Sequence, residues 1–251
     1  MFDSLPKDAT TALEWSFEQY KPYLDDLISR EISAENVDNW TADWSAIGKL
    51  MSEVYSRLYV ATTQDTVDEA INQRYLSFVE EVYPKSQTYT NTLNTKLVQS
   101  GHMPENFQIP FKKMQASIEL FREENLALNT QVTKLDMEYD RIIAAQTVEW
   151  DGEERTLTQM GVLLQDQDRD KREKVWRLIM GRSLQDRDAL NALWAQYMDL
   201  RGQIAKNADM PDYRAYQWKA MDRFDYTPED AITFQNAIEE VIVPVAKRIR
   251  E

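Results

Sequence analysis

From Leu13 onward the apolar residues of this chain recur three and four positions apart, the spacing of one buried helical stripe. Leu13, Phe17, Tyr20, Leu24, Leu27 and Ile28 predict a first helix, which Pro22 is expected to kink or reset. Ser33 offers a cap for a long second helix through Trp40, Trp44, Ile47, Met51, Leu58 and Val60. Asp65 and Thr66 offer a third start, and Val67 to Val82 carry the pattern to a stop at Pro84. A helix from about Gln87 to Val98 closes on Gly101, and a loop from His102 to Pro110 follows. Phe111 to Asn125 and Leu126 to Gln146 predict two further helices, or one long bent helix.

The helical period breaks once for a strand pattern. Between Thr147 and Leu157, TVEW and EERTL flank Asp151-Gly152, a favoured two-residue hairpin turn. Helices resume at Leu157, with the charged run Asp166 to Glu173 leading into Val175, Trp176, Ile179 and Leu184. Asp186 or Asp188 can open the next helix, which runs to Asn207 and stops before Pro211. A short helix begins near Asp212 and carries Tyr213, Tyr216 and Ala220 on one face. Thr227-Pro228-Glu229-Asp230 is a capping box with proline at the first helical position. The corner before it, Arg223-Phe224-Asp225-Tyr226, is charged and aromatic. In the last pattern, from Pro228 to Glu251, Val241, Ile242, Val243 and Val245 surround more of the helix than one exposed helix tolerates, and Pro244 should bend it. The fold class is therefore all-α with one small hairpin near 147–157.

Composition narrows the chemistry. The 251 residues include 43 acids against 29 lysines and arginines, a formal charge of -14 that repels phosphate backbones, so nucleic acid is not an expected partner. No basic amphipathic stretch suits an anionic membrane surface, and no apolar run reaches spanning length. MFDSLPKDAT has neither the basic region nor the apolar core of a secretory signal, so the expected location is cytoplasmic. Cysteine is absent and His102 is the one histidine, which leaves no ligand pair at HExxH spacing. Asp166-Gln-Asp168-Arg-Asp170 opens like a calcium loop, but Lys171 stands at the sixth position and Arg177 at the twelfth. A solvated helix start is the better reading. No carboxylate spacing singles out an acid–base pair.

The order of these features resembles the N-terminal half of the M3 metallopeptidases, in the oligoendopeptidase F branch. The matching series is Asp65-Thr66 before a helix toward Pro84, Glu119-Leu120-Phe121-Arg122 with Asn125, and the Asp151-Gly152 hairpin. It continues with Asp168-Arg169, Arg172-Glu173 and Trp176, then Leu200-Arg201, Ile204-Ala205 and Asn207-Ala208. Tyr213-Arg214-x-Tyr216 and Arg223-Phe224-Asp225-Tyr226-Thr227-Pro228-Glu229 complete it. One departure is Asp209-Met210, where a glycine is expected in the turn after Asn-Ala.

The resemblance implies the N-terminal part of a neurolysin-like fold, a mostly helical, bowl-shaped enzyme that hydrolyses short peptides with one zinc. The HExxH ligands and a further glutamate would lie downstream in a C-terminal catalytic half missing from this chain. No catalytic or metal-binding residue is therefore carried onto any position here, and the chain alone is expected to be inactive. Its implied role is to form one wall of the substrate channel. It is read as one N-terminal region, 1–251, divisible into a lobe 1–110 and a helical and hairpin part 111–251. Tyr213, Tyr216, Arg223 and Tyr226 are the candidate groove residues, against the plainer alternative that they lock helices together. The alternative function is a noncatalytic helical module that binds peptides or a partner.

Overall fold

The computed structural model describes residues 1–251. Two short 3-10 turns precede α1 (Phe17–Ser29), capped by the Ser16 hydroxyl. Pro22 lies inside α1, which continues through it. The long α2 (Val37–Gln64) starts one turn later than Ser33 suggests. Asn36 holds the entry instead, its Oδ1 accepting from the Ser33 N–H at 2.8 Å and its amide donating to the Glu31 carbonyl at 2.9 Å. Likewise Asp65 forms only a preparatory turn, and Asp68 caps α3 (Glu69–Ser77) by accepting from the Ala70 and Ile71 N–H groups.

Pro84 does not end the helix. A π turn over Phe78–Val82 joins α3 directly to α4 (Tyr83–Ser100), with the Tyr83 N–H donating to the Phe78 carbonyl. A proline ring collides with the carbonyl four residues back in a regular helix. The extra residue in the widened turn relieves that conflict at Pro84. The same device recurs near the end of the chain. There α11 (Pro228–Ala237) passes through a π turn over Ile238–Ile242 into α12 (Val243–Arg250), with Pro244 in its first turn. Both π turns contain Glu-Glu-Val and both precede a proline.

Helices α1, α2, α3 and α4 enclose a core of 19 buried residues from Leu5 to Leu97, centred on Tyr20, Leu27, Trp40, Ile47, Tyr75 and Leu93. Tyr20 is fully buried, and burial pushes its phenol up to about 12. Its hydroxyl reaches the Ala12 carbonyl, so the polar end is not stranded. Gly101 ends α4 at φ 71°, in the left-handed region. Nothing lies near the position a β-carbon would take there. Gly101→Ala should therefore lose only backbone energy, about 1 kcal/mol in urea unfolding. No loss would show that the cap relaxes freely.

Pro110 falls inside the first turn of α5 (Gln108–Leu120) rather than in the loop before it. Phe121 is extended, so α5 and α6 (Glu124–Ala144) are two helices, not one bent helix, and the break precedes Asn125. The hairpin pairs β1 (Thr147–Trp150) with β2 (Glu153–Thr156), antiparallel, with Trp150 opposite Glu153. Asp151 and Gly152 both take positive φ, as a tight turn of this hand requires. A short α7 (Leu157–Gly161) leads through a 3-10 turn to α8 (Arg169–Gln185). Trp150, Met160, Val175 and Ile179 form a second buried cluster. The Asp166–Asp170 run is spent on the helix start. Asp168 accepts from the Asp170 and Lys171 N–H groups, and Asp166 pairs with Lys171.

Helix α9 (Arg187–Asn207) packs along α6. Two polar contacts fasten the end of α6 to the α8–α9 junction, and an ion pair within that junction supports them. Buried Gln146 donates to Asp186 Oδ2 at 2.9 Å, Arg182 donates to the same oxygen at 2.6 Å, and Arg182 also reaches the Ala145 carbonyl. The Gln146 amide, followed by Arg182, holds the Asp186 carboxyl below its ordinary value of 3.8. Its stabilising effect is thus present above 3.8 and lost as pH falls through the lower folded value. Asp186→Asn should flatten that part of the acid limb in thermal melts between about pH 5 and about pH 2. An unchanged acid limb would contradict this assignment.

Candidate functional site

The end of α9 turns sharply before α10 (Tyr213–Ala220), and the sequence explains how. Asp209 adopts φ 57°, the left-handed conformation that glycine supplies most readily, and the Met210 N–H donates back to the Ala205 carbonyl. Aspartate is among the few residues that tolerate this region. Asp209 also forms an ion pair with Arg122 at 2.8 Å. Beneath the turn, Asn125 is buried and donates to the Ile204 carbonyl at 3.1 Å while accepting from Asn207 at 2.8 Å. Asp212 caps α10 through the Ala215 N–H. Lys113 with Asp222, and Lys219 with Glu119, tie α10 to α5.

Helix α10 thereby stands as a partition between two cavities. On one side a cleft of about 1120 Å³ opens between α9, α10 and α11, with Trp194, Met198, Arg201, Trp218, Arg223 and Tyr226 in its wall. On the other a cavity of about 490 Å³ lies against α4, α5 and α6, with Tyr83, Leu120, Phe121, Asn125 and Tyr216 in its wall. Tyr213 and Gln217 line both. The four candidate residues are thus divided. Tyr213 and Tyr216 stack at 5.8 Å, and Tyr216 faces the smaller cavity, where burial raises its phenol. Arg223 and Tyr226 face the larger one. Trp218 meets Tyr226 edge-on at 5.1 Å and donates its indole N–H to the Tyr226 carbonyl, while the Arg223 guanidinium lies 4.7 Å from the Trp218 ring centre. The corner therefore both locks helices and lines a cleft.

The cleft also contains residues not chosen from the sequence. Helix α9 buries Leu193, Tyr197, Leu200 and Ile204 on one face and leaves Trp194 and Met198 more than half exposed on another. Apolar residues on two faces of one helix are the signal that could have marked them. Arg201 is held between the rings of Tyr197 and Tyr213, at 4.6 and 5.4 Å. Tyr197 in turn donates to Asp136 at 2.6 Å, and desolvation raises the Asp136 carboxyl above its usual range although its residue is open to solvent on one side. Beyond it a cavity of about 310 Å³ is lined by Tyr55, Tyr59, Tyr75 and Tyr139 with Asp136 and Asp140, and shares Tyr55 and Thr133 with the middle one. Three adjoining cavities thus run from a cationic, aromatic end to a tyrosine and carboxylate end.

Residues 11–121 match the family described as the Peptidase M3 N-terminal domain. This segment belongs to that family. No curated protein matches the chain. The fold is also that of solved peptidase structures. One is a candidate oligoendopeptidase F at 18% identity and a TM-score of 0.84, covering 99% of this chain and 44% of that one. A second, a candidate oligoendopeptidase F from Bacillus anthracis str. Ames, gives 18% and 0.82, covering 99% and 46%. PZ peptidase A with inhibitor 2 gives 22% and 0.79, covering 100% and 45%. The chain thus spans less than half the length of each. The large cleft lies beyond the segment matched to the M3 family, and there the likeness is one of fold.

A zinc site does not fit the residues of this chain. No three His, Cys, Asp or Glu side chains are placed to hold a metal, and His102 stands alone in the loop after Gly101. No helix is long and apolar enough to cross a membrane.

Proposed function

We propose that this chain is the N-terminal, channel-forming part of a cytoplasmic, zinc-dependent oligopeptidase that hydrolyses short peptides. The zinc and its ligands belong to a C-terminal catalytic half, and the chain alone is inactive. A lobe 1–110 and a helical and hairpin part 111–251 make up this half. The 19-residue core, which lies wholly between Leu5 and Leu97, supports that division.

The single observation that carries the reading is the state of α11 and α12. Phe234, Ile238, Val241, Ile242, Val245 and Ile249 are all exposed, and neither helix packs substantially on any other helix of the chain. An apolar face of that extent marks a surface made to be covered. The length of the matched peptidases supports a catalytic half as the cover. Tyr213, Tyr216, Arg223 and Tyr226 would then contribute to the channel wall, Tyr216 on one side of α10, Arg223 and Tyr226 on the other, and Tyr213 on both.

The test is cleavage of a short internally quenched peptide. The 251-residue chain supplied with zinc should leave it intact, whereas the native protein from the source organism should cleave it and stop on chelation. Cleavage by the chain alone would overturn the reading. Native protein that cleaves nothing would favour a noncatalytic helical module that binds peptides or a partner.

A further inference from the structure

The large cleft between α9, α10 and α11 has a charge opposite to that of the molecule around it. The chain carries a formal charge of -14, yet the cleft wall holds Arg201, Lys206, Arg214 and Arg223 against a single acid, Asp212. That acid is already engaged by the Ala215 N–H. None of the four cations takes part in any ion pair of the structure. Arg201 Nε is buried and has no hydrogen-bond partner, an arrangement that costs stability unless something completes it.

Two of these guanidiniums are also fixed in place. Arg201 lies between the Tyr197 and Tyr213 rings, and Arg223 lies over Trp218. A cation pre-set by aromatic faces loses little freedom when it binds an anion. Between the cations the wall is apolar, with Trp194 59% and Met198 56% exposed. Polyanions are disfavoured by the chain's formal charge of -14. A small monoanion attached to apolar groups matches both features, and the planar guanidinium fork matches a carboxylate.

We infer that this cleft binds the free C-terminal carboxylate of a short peptide, with Arg201 and Arg223 on the carboxylate and Trp194 and Met198 under the adjoining side chains. This deepens the reading of the chain as a peptide-handling half and rests on it. The cleft lies within the chain, so binding requires no catalytic half.

The probes are N-acetyl-Ala-Leu-Leu as free acid and as C-terminal amide, titrated into the 251-residue chain at low salt while tryptophan fluorescence is followed. The acid should bind about tenfold tighter than the amide, the effect of a charge-assisted pair. Arg201→Met and Arg223→Met should each reduce that preference to about twofold or less, whereas Lys49→Met, far along α2, should keep it. Should Arg201→Met fail to fold by circular dichroism, Arg223→Met decides. Equal affinity for acid and amide, or a folded Arg223→Met that keeps the preference, overturns the carboxylate site and leaves the peptidase reading standing. Failure of both peptides to saturate below about 10 mM, some 2.7 kcal/mol of binding, overturns it as well. The cleavage assay on native protein then judges the peptidase reading separately.

Discussion

Trp40→Ala should be the most damaging single substitution in the chain, costing about 3–5 kcal/mol of unfolding free energy. Trp40 is 1% exposed, donates its indole N–H to the Leu27 carbonyl at 3.0 Å and meets Trp44 edge-on at 5.3 Å. Truncation removes the largest fully buried side chain of the main core and strands a carbonyl in the last turn of α1. At roughly 2–4 °C per kcal/mol for a chain of this size, the midpoint should fall by about 10–15 °C. Trp194→Ala is the control. With Trp194 59% exposed in the cleft wall, its loss should stay near about 0.5 kcal/mol. Thermal melts followed by circular dichroism separate the two, and comparable losses would contradict the burial argument.

The second large effect concerns α11 and α12, where stability and assembly should part company. Phe234, Ile238, Val241, Val245 and Ile249 repeat at steps of four, three, four and four and are exposed. The combined variant Phe234→Gln, Val241→Gln and Ile249→Gln keeps good helix formers in place. The chain's own unfolding free energy should change by no more than about 0.5 kcal/mol per site, because these side chains are largely exposed within it. Against a covering half the same three substitutions should cost about 1.5–3 kcal/mol each, enough to weaken docking of that half by about a thousandfold or more. Unfolding curves of the chain and of the native protein measure the two. A loss of several kcal/mol in the chain itself would mean that this helix belongs to the chain's own core.

Much of this architecture was legible because local chemistry and periodicity agreed. Asp151-Gly152 takes both positive φ values, Gly101 takes the left-handed cap, and Thr227 with Asp230 forms the reciprocal box. The prolines misled. Read alone, Pro84 stops a helix, but the π turn before it shifts the clashing carbonyl and lets 32 residues from Glu69 to Ser100 run on. Hydrophobic spacing does not reveal one extra residue in a turn. Start signals were displaced for a related reason. Asp65 and Asp68 can both cap, and the choice of Asp68 depends on where the following apolar stripe meets the core.

The candidate site was legible in part. Tyr213 and Tyr216 lie on α10 and Arg223 and Tyr226 follow it, but the sequence could not show that two cavities flank this helix and that Tyr213 lines both. Arg201 was the harder residue to see. It acquires meaning only when the left-handed Asp209 turn folds α10 back so that Tyr213 covers the guanidinium from the side opposite Tyr197. Asp209 itself shows how a departure from a family pattern can preserve geometry. Where glycine was expected, aspartate takes the glycine conformation and adds an ion pair to Arg122.

Whether this chain works as one half of a zinc peptidase can be tested on one sample. Intact mass and zinc content should be measured together on the native protein purified from its source. The expected species is much heavier than the 29.5 kDa of this chain, with about one zinc per molecule. A zinc-free species of 29.5 kDa would contradict it and leave a separate helical binding module.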